Sequence, residues 1–286
     1  MASESHFQKL LVSVDGSPYS VQAEELAANL AKNFSSKVTL LHVVPHEIRH
    51  QQPHYYDNIP GNLREELESS YVQKGSLVVQ QAKALFDQEG VKAETILEEF
   101  ADPAETIVQV AKEKKSDAVI LGNRGTSEVK EFALGGVAEK VVRYADCPVL
   151  IVKKKTSFSK ILVAVDGSKL SQKALRYAAE LGQKYGGQLT LLNVAQTMLP
   201  QVRAETVKSV GERIVSEAES QVKDVKVDKK VELGHPAKMI LDFAKKGNYD
   251  LIALGSRGLS PVSRVFLGSV SDHVARQSEC TVLIVR

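Results

Sequence analysis

The chain contains one sequence pattern twice. Lys9-Leu10-Leu11-Val12-Ser13-Val14-Asp15-Gly16-Ser17 returns as Lys160-Ile161-Leu162-Val163-Ala164-Val165-Asp166-Gly167-Ser168. Val38-Thr39-Leu40-Leu41-His42-Val43 returns as Leu189-Thr190-Leu191-Leu192-Asn193-Val194 at the same spacing. Gly122-Asn123-Arg124-Gly125 matches Gly255-Ser256-Arg257-Gly258, and Cys147-Pro148-Val149-Leu150-Ile151-Val152 matches Cys280-Thr281-Val282-Leu283-Ile284-Val285. These later matches lie closer together, so the first copy carries extra residues between its second apolar run and its later half. Solenoid repeats are roughly 20–50 residues long. Two copies filling a 286-residue chain are instead a duplicated domain. The basic run Lys153-Lys154-Lys155, followed by Thr156-Ser157, is the natural boundary and gives domains of 1–155 and 156–286.

Within each copy, short apolar runs alternate with helical patterns. Leu10–Val14 and Val38–Val43 are too short for helices and rich in Val and Leu, which predicts buried strands. Between them, residues 20–32 place Val21, Leu26, Leu30 and several alanines at helical spacing. Further strands are expected at 94–98, 118–121 and 149–152, with helices at 103–114 and 137–144. The second copy repeats the order, with strands at 161–165, 189–194, 229–233, 251–254 and 282–285. Strands alternating with helices imply right-handed βαβ crossovers and a parallel sheet, hence an α/β, Rossmann-like class.

Composition removes several functions. Lys+Arg 37 against Asp+Glu 35 leaves a net charge of +2, too balanced for binding nucleic acid through bulk charge. Two cysteines make no secreted disulfide framework, and no CxxC suggests a structural zinc site. No apolar run approaches the roughly 20 residues needed to cross a bilayer. Met1-Ala2-Ser3-Glu4-Ser5-His6 lacks the basic and apolar regions of a signal peptide, so the expected location is the cytoplasm.

Ligands of open doubly wound sheets bind beyond the carboxyl ends of the strands. Two glycine-rich turns fall there in each copy. One is Asp15-Gly16-Ser17 after the first strand, and the other is Gly122-xx-Gly125 after the fourth. In the second copy the latter runs Gly255-Ser256-Arg257-Gly258, nine residues, then Gly268-Ser269 directly before a helical stretch. A helix N-terminus offers unpaired N–H donors and a favourable dipole to phosphate, and glycines let the backbone come close.

With these motifs in place, both copies resemble the universal stress protein family, whose nucleotide-binding members carry Gly-xx-Gly-(nine residues)-Gly-Ser/Thr. Residues 255–269 match that pattern in full, and the resemblance covers almost the whole chain. It implies two five-stranded parallel sheets of order 3-2-1-4-5 flanked by helices, and pairing of the last strands, 149–152 with 282–285, within the chain. It also implies ATP or another adenine nucleotide as ligand, with or without Mg. Carried over, the second copy offers Ala164, Val165 and Asp166 on strand one, Val194 on strand two, and Gly255, Arg257, Gly258, Gly268, Ser269 and Val270 as phosphate cradle. Asp166 would accept hydrogen bonds from adenine or ribose, and Ser269 would donate to phosphate or touch its metal ion. The bland alternative is that Asp166 and Gly167 only make a turn.

The first copy offers a weaker site of Val14, Asp15, Val43, Gly122, Arg124, Gly125, Gly135, Gly136 and Val137. Gly136 replaces the hydroxyl of Ser269, and the missing hydrogen bond is worth about 0.5–1.5 kcal/mol. Glu128 and Glu131 sit between the glycines, in the stretch where the second copy has Ser260 and Arg264. Near a phosphate two carboxylates repel it; facing water they do nothing. The second copy is therefore expected to bind more tightly.

Other constellations read as structure. His42, His46, His50 and His54 fall four apart, a spacing that aligns metal ligands on a helix, but Pro45 and Pro53 interrupt it. The stretch 45–61 reads as an inserted loop and the approach to a helix. Cys147 and Cys280 read as small buried hydrophobes, and His273 as a surface helix position. In Ala101-Asp102-Pro103 and Gly234-His235-Pro236 the prolines suit a first helical turn, with Asp102 as N-cap. There is no Walker-type loop, Gly-x-Gly-xx-Gly, Gly-x-Ser-x-Gly or His-Glu-xx-His. The expected function is a nucleotide-dependent sensor or regulator in stress response. The alternatives are a slow ATPase and a scaffold that binds no nucleotide. Expected partners are the nucleotide, the paired halves, and a second copy or another protein; nucleic acid and membrane are not expected.

Overall fold

The computed structural model describes residues 5–46, 59–125, 134–196, 203–259 and 267–286. Among them lie ten strands and eight helices, divided between two compact units.

One unit is built on Phe7–Val129 with Gly135–Ala145. Its strands are β1 (Lys9–Ser13), β2 (Lys37–Pro45), β3 (Ala93–Ala101) and β4 (Ala118–Gly122), in the parallel order β3-β2-β1-β4. Its helices are α1 (Pro18–Phe34), α2 (Gly61–Gln88), α3 (Pro103–Glu113) and α4 (Gly136–Tyr144). β1 and β4 are almost wholly buried, as expected for strands covered on both faces, so their sequences run apolar without alternation. β3 carries Glu94, Glu98 and Glu99 and is partly exposed along its length, and such charge discourages edge-to-edge pairing.

The other unit is built on Asp146–Arg286. It holds β5 (Val149–Val152), β6 (Lys160–Ala164), β7 (Gln188–Ala195), β8 (Lys226–Leu233), β9 (Leu251–Gly255) and β10 (Thr281–Val285). Its helices are α5 (Lys169–Tyr185), α6 (Ala204–Glu219), α7 (Pro236–Lys246) and α8 (Ser269–Gln277). Strands β8-β7-β6-β9-β10 are parallel, which is the expected 3-2-1-4-5 order in full. β5 lies antiparallel to β10 with Val282 opposite Ile151, Leu283 opposite Leu150 and Ile284 opposite Val149. The two last strands thus pair as expected, while the first unit keeps four strands, 3-2-1-4, because β5 groups with the second.

Two crossover helices, α2 and α6, were not legible as elements from apolar spacing. α2 has 28 residues against 16 in α6, so much of the first copy's extra length is helix. Few positions of either are buried: Gly75, Val79, Ala82 and Phe86 in α2, and Gly211, Val215 and Ala218 in α6. This narrow stripe, glycine or alanine at two of four positions in α2 and two of three in α6, leaves little apolar periodicity to detect.

Candidate functional site

At the carboxyl ends of the first and fourth strands, each unit has a crevice built on the same plan. The first begins where β1 runs into a tight turn. Gly16 has φ +75°, a left-handed value that glycine adopts at little cost. The Asp15 carboxylate closes this turn by accepting the Ser17 amide through Oδ1 at 2.9 Å. The Ser17 hydroxyl then caps α1 by accepting the Ser20 amide at 3.1 Å. In the second unit Gly167 has φ +82°, Asp166 Oδ1 accepts the Ser168 amide at 3.0 Å, and Ser168 caps α5. Each aspartate therefore makes the turn, and its other oxygen remains directed toward the second glycine turn. A Cβ on Gly125 would lie 2.7 Å from Asp15 Oδ2, and one on Gly258 would lie 2.6 Å from Asp166 Oδ2.

The other glycines of this constellation do different work. A Cβ on Gly122 would stand 2.7 Å from the backbone carbon of Tyr19, and one on Gly255 would stand 2.8 Å from the Leu170 Cβ and 2.9 Å from its backbone carbon. These two glycines admit the first turns of α1 and α5 against the sheet. Gly135 and Gly268 donate their amides to the Asn123 and Ser256 carbonyls, each at 2.8 Å, which ties the start of α4 and α8 to the glycine turns. Neither helix has a side-chain cap. Around a Cβ on Gly136 there is nothing within 4 Å, so the hydroxymethyl group of Ser269 has room at the corresponding place.

The side walls are apolar. In the first crevice they include Val14, Val43, Pro45, Ile107 and Leu121, and in the second Val165, Val194, Pro236, Ile240 and Leu254. All nine residues expected for the first site line its crevice: Val14, Asp15, Val43, Gly122, Arg124, Gly125, Gly135, Gly136 and Val137. Eight of the ten expected for the second line the other: Ala164, Val165, Asp166, Val194, Gly255, Arg257, Gly258 and Val270. Gly268 and Ser269 lie outside its lining, and Ser269 is exposed at the start of α8. The volumes differ sharply, about 510 Å³ in the first crevice and about 160 Å³ in the second. Ligand pockets usually have roughly 300–1,000 Å³. The first crevice falls in that range and the second falls short of it.

Residues outside the expected site sets also line the crevices. His42 Nδ1–H donates to the Val14 carbonyl at 2.7 Å, and the carbonyl as partner fixes the tautomer. Its counterpart Asn193 donates through Nδ2 to the Val165 carbonyl, also at 2.7 Å. Opposite each stands a helix glycine: a Cβ on Gly75 would lie 2.9 Å from the His42 ring, and one on Gly211 would lie 2.6 Å from Asn193 Oδ1. A glycine inside each helical pattern was the available signal. Arg124 stacks 4.5 Å over the Tyr19 ring and also hydrogen-bonds its hydroxyl, whereas the second unit has Leu170 in place of Tyr19.

Charge differs too. Asp102 and Lys140 line the first crevice and form an ion pair of 3.1 Å. Asp102 Oδ1 caps α3 by accepting the Glu105 amide at 2.9 Å, as expected from sequence. Burial opposes ionisation of this carboxyl, but the Glu105 amide and Lys140 outweigh it and hold it below its usual range. Behind the crevice, the buried Glu24 accepts the Ser20 hydroxyl at 2.7 Å, and Ser20 in turn accepts the Asp15 amide at 3.0 Å. Burial pushes the Glu24 carboxyl up; the Ser20 hydroxyl opposes this, and the nearby Asp15 and Glu25 charges add to it.

The remaining groups fit structural roles. Of the two cysteines expected to be buried, Cys147 is only half-buried, whereas Cys280 is buried, and burial pushes its thiol up against the opposing Ser278 hydroxyl, which is unfavourable for a reactive thiolate. His42 is a strand residue bonded to backbone, while His50 and His54 lie outside the described residues, as do Glu128, Glu131, Ser260 and Arg264. Among the described residues no group of three His, Cys, Asp or Glu is placed to hold a metal ion, and no helix is long and apolar enough to cross a membrane. His235 precedes α7 without a side-chain cap bond, and His273 is exposed on α8.

The model of the universal stress protein family matches residues 6–153 and again 157–286. The chain is 27% identical over 290 residues to a universal stress protein of Mycolicibacterium smegmatis, covering 97% of this chain and 96% of the relative. It is 35% identical over 156 residues to universal stress protein YxiE of Bacillus subtilis, covering 51% of this chain and 99% of the relative. A crystal structure of a universal stress protein from Archaeoglobus fulgidus superimposes with a TM-score of 0.72 at 26% identity, covering 98% of each chain. The chain belongs to the universal stress protein family and carries two family regions in tandem.

Proposed function

We propose that this protein binds an adenine nucleotide, ATP foremost, in the crevices of its two halves, and acts in the cytoplasm as a nucleotide-dependent sensor or regulator of the stress response. The observation that carries this reading is the repeated plan of the crevice. A turn aspartate, an apolar slot and a glycine turn backed by an uncapped helix start recur in two sequences that have diverged around them. The slot suits an adenine ring, the Asp15 and Asp166 carboxylates accept hydrogen bonds from base or ribose, and the first-turn amides of α4 and α8 meet phosphate. Mg would arrive with the phosphates, since the described residues hold no preformed metal cluster. The second crevice must open beyond its about 160 Å³ to take a whole nucleotide.

A scaffold without nucleotide is the competing reading, and Gly122 and Gly255 favour it because close helix packing alone explains them. Denaturing extraction of freshly purified protein, with identification and stoichiometry of released nucleotide, separates the two. Adenine nucleotide at one or two per chain is the expected result. No released nucleotide, together with no thermal shift in millimolar ATP, establishes the scaffold instead.

A further inference from the structure

We infer that Lys140 is the anion-recognising side chain of the first crevice, binding the acidic group of the nucleotide there in place of the hydroxyl that Gly136 lacks. This rests on the nucleotide reading above and says how one crevice is specialised. Lys140 follows Gly136 by one turn of α4, so the two share a helix face. Lys140 lines the crevice and its ammonium lies 3.1 Å from Asp102 Oδ2, while the other Asp102 oxygen is committed to capping α3. Asp102 thus holds the lysine at the crevice, and an arriving phosphate competes with it for the same charge.

The second half supplies the contrast. At the positions of Asp102 and Lys140 it has His235 and His273, so both members of the pair have changed together. The two histidines lie outside the second crevice and line a separate cavity of about 690 Å³ with Lys238, Asp242 and Lys245. The half with the ion pair has the glycine, and the half without it has Ser269. A charge-assisted hydrogen bond is roughly twice as strong as a neutral one, so a lysine more than replaces a hydroxyl.

The test uses the full chain, photolabelled with azido-ATP and with azidoadenosine, with labelled peptides assigned to each half by mass spectrometry. Lys140→Met is expected to weaken azido-ATP labelling of the first half about tenfold. Azidoadenosine labelling and the second half stay unchanged. The salt dependence of the remaining first-half labelling becomes shallower. Lys140→Arg restores labelling, and Asp102→Asn, which keeps a good cap, strengthens it. Azido-ATP labelling of Lys140→Met equal to the parent overturns this inference and leaves nucleotide binding standing. Absence of labelling by either probe in the parent removes both.

Discussion

The two crevices descend from one plan and have become different sites. The first has about 510 Å³, an ion pair at its rim and a buried carboxylate behind it. The second has about 160 Å³, the complete glycine-serine motif, and Leu175 where the first has Glu24. A complete motif and an open cavity thus fall in different halves. A motif records which backbone donors and hydroxyls are present; room for a ligand depends on how helices and strands pack around them. The expectation that the second half binds more tightly rests on the motif alone, and the cavity volumes point the other way.

The glycines give the largest separation between packing and binding. Gly122→Ala and Gly255→Ala press a methyl group onto the first turn of α1 and of α5, at 2.7–2.9 Å from Tyr19 or Leu170 atoms. Both are expected to destabilise their own half by about 1–3 kcal/mol, as overpacked substitutions do. Denaturant unfolding with a probe in each half measures this. Equal stability of parent and variants would show that these glycines are not there for packing, and would return them to the ligand.

The helix caps come next. Asp102→Ala removes the bond to the Glu105 amide and is expected to cost about 1 kcal/mol, within the roughly 0.5–2 kcal/mol range for such caps. His235 occupies the same place without capping, so His235→Asp should stabilise the second half by a similar or smaller amount. If His235→Asp is neutral, the α7 start already has its amides satisfied and the halves are closer in this respect than their sequences suggest.

Exchanging the hydroxyl sharpens the comparison at the crevices themselves. Gly136→Ser places a side chain into open space, so stability should hold while ATP affinity of the first half rises. Ser269→Ala should lower affinity of the second half. Each change is worth about 0.5–1.5 kcal/mol, or roughly two- to tenfold in dissociation constant. Calorimetric titration of ATP into each variant reads it. Unchanged affinity in both would mean that the backbone amides carry the phosphate without the hydroxyl.

Much of the fold is legible in sequence because the strands β1, β4, β5, β9 and β10 are apolar, short and bounded by turns. Their pairing order follows from the repeat and the resemblance it reveals. The crevice floor is legible for the same reason: Asp15, Gly122 and Gly125 sit at strand ends in a recognisable spacing. What stays hidden is what arrives from other elements. Ile107 and Lys140 reach the first crevice from helices whose own pattern signals only amphipathicity, and His42 reads as a strand position whose bond to the Val14 carbonyl no spacing reveals. The α2 and α6 helices hide because four and three buried positions, respectively, make too weak a stripe. The assignment of β5 to the second unit is a matter of packing that no local pattern carries.

The smallest expected effect concerns Glu24, the buried carboxyl that the second half replaces with Leu175. Its folded-state pKa lies above the ordinary value of 4.5, chiefly through burial. Below that value the group is protonated in both folded and unfolded chains, and its contribution to stability is fully present. As pH rises through the raised folded-state pKa, the folded protein must ionise a carboxyl that the unfolded chain ionises more readily, and stability is lost. Glu24→Gln keeps the shape and an acceptor for the Ser20 hydroxyl but has no proton to release. The stability of parent minus variant, from urea unfolding, should therefore fall from pH 4.5 upward and level off above the folded-state pKa. A difference that stays flat across this range would show that Glu24 ionises in the folded protein as it does in water. The Ser20 bond and local solvation would then compensate its burial fully. A difference that falls only in the first half's transition would establish that the two copies, alike in backbone, respond to acid differently because of one buried side chain.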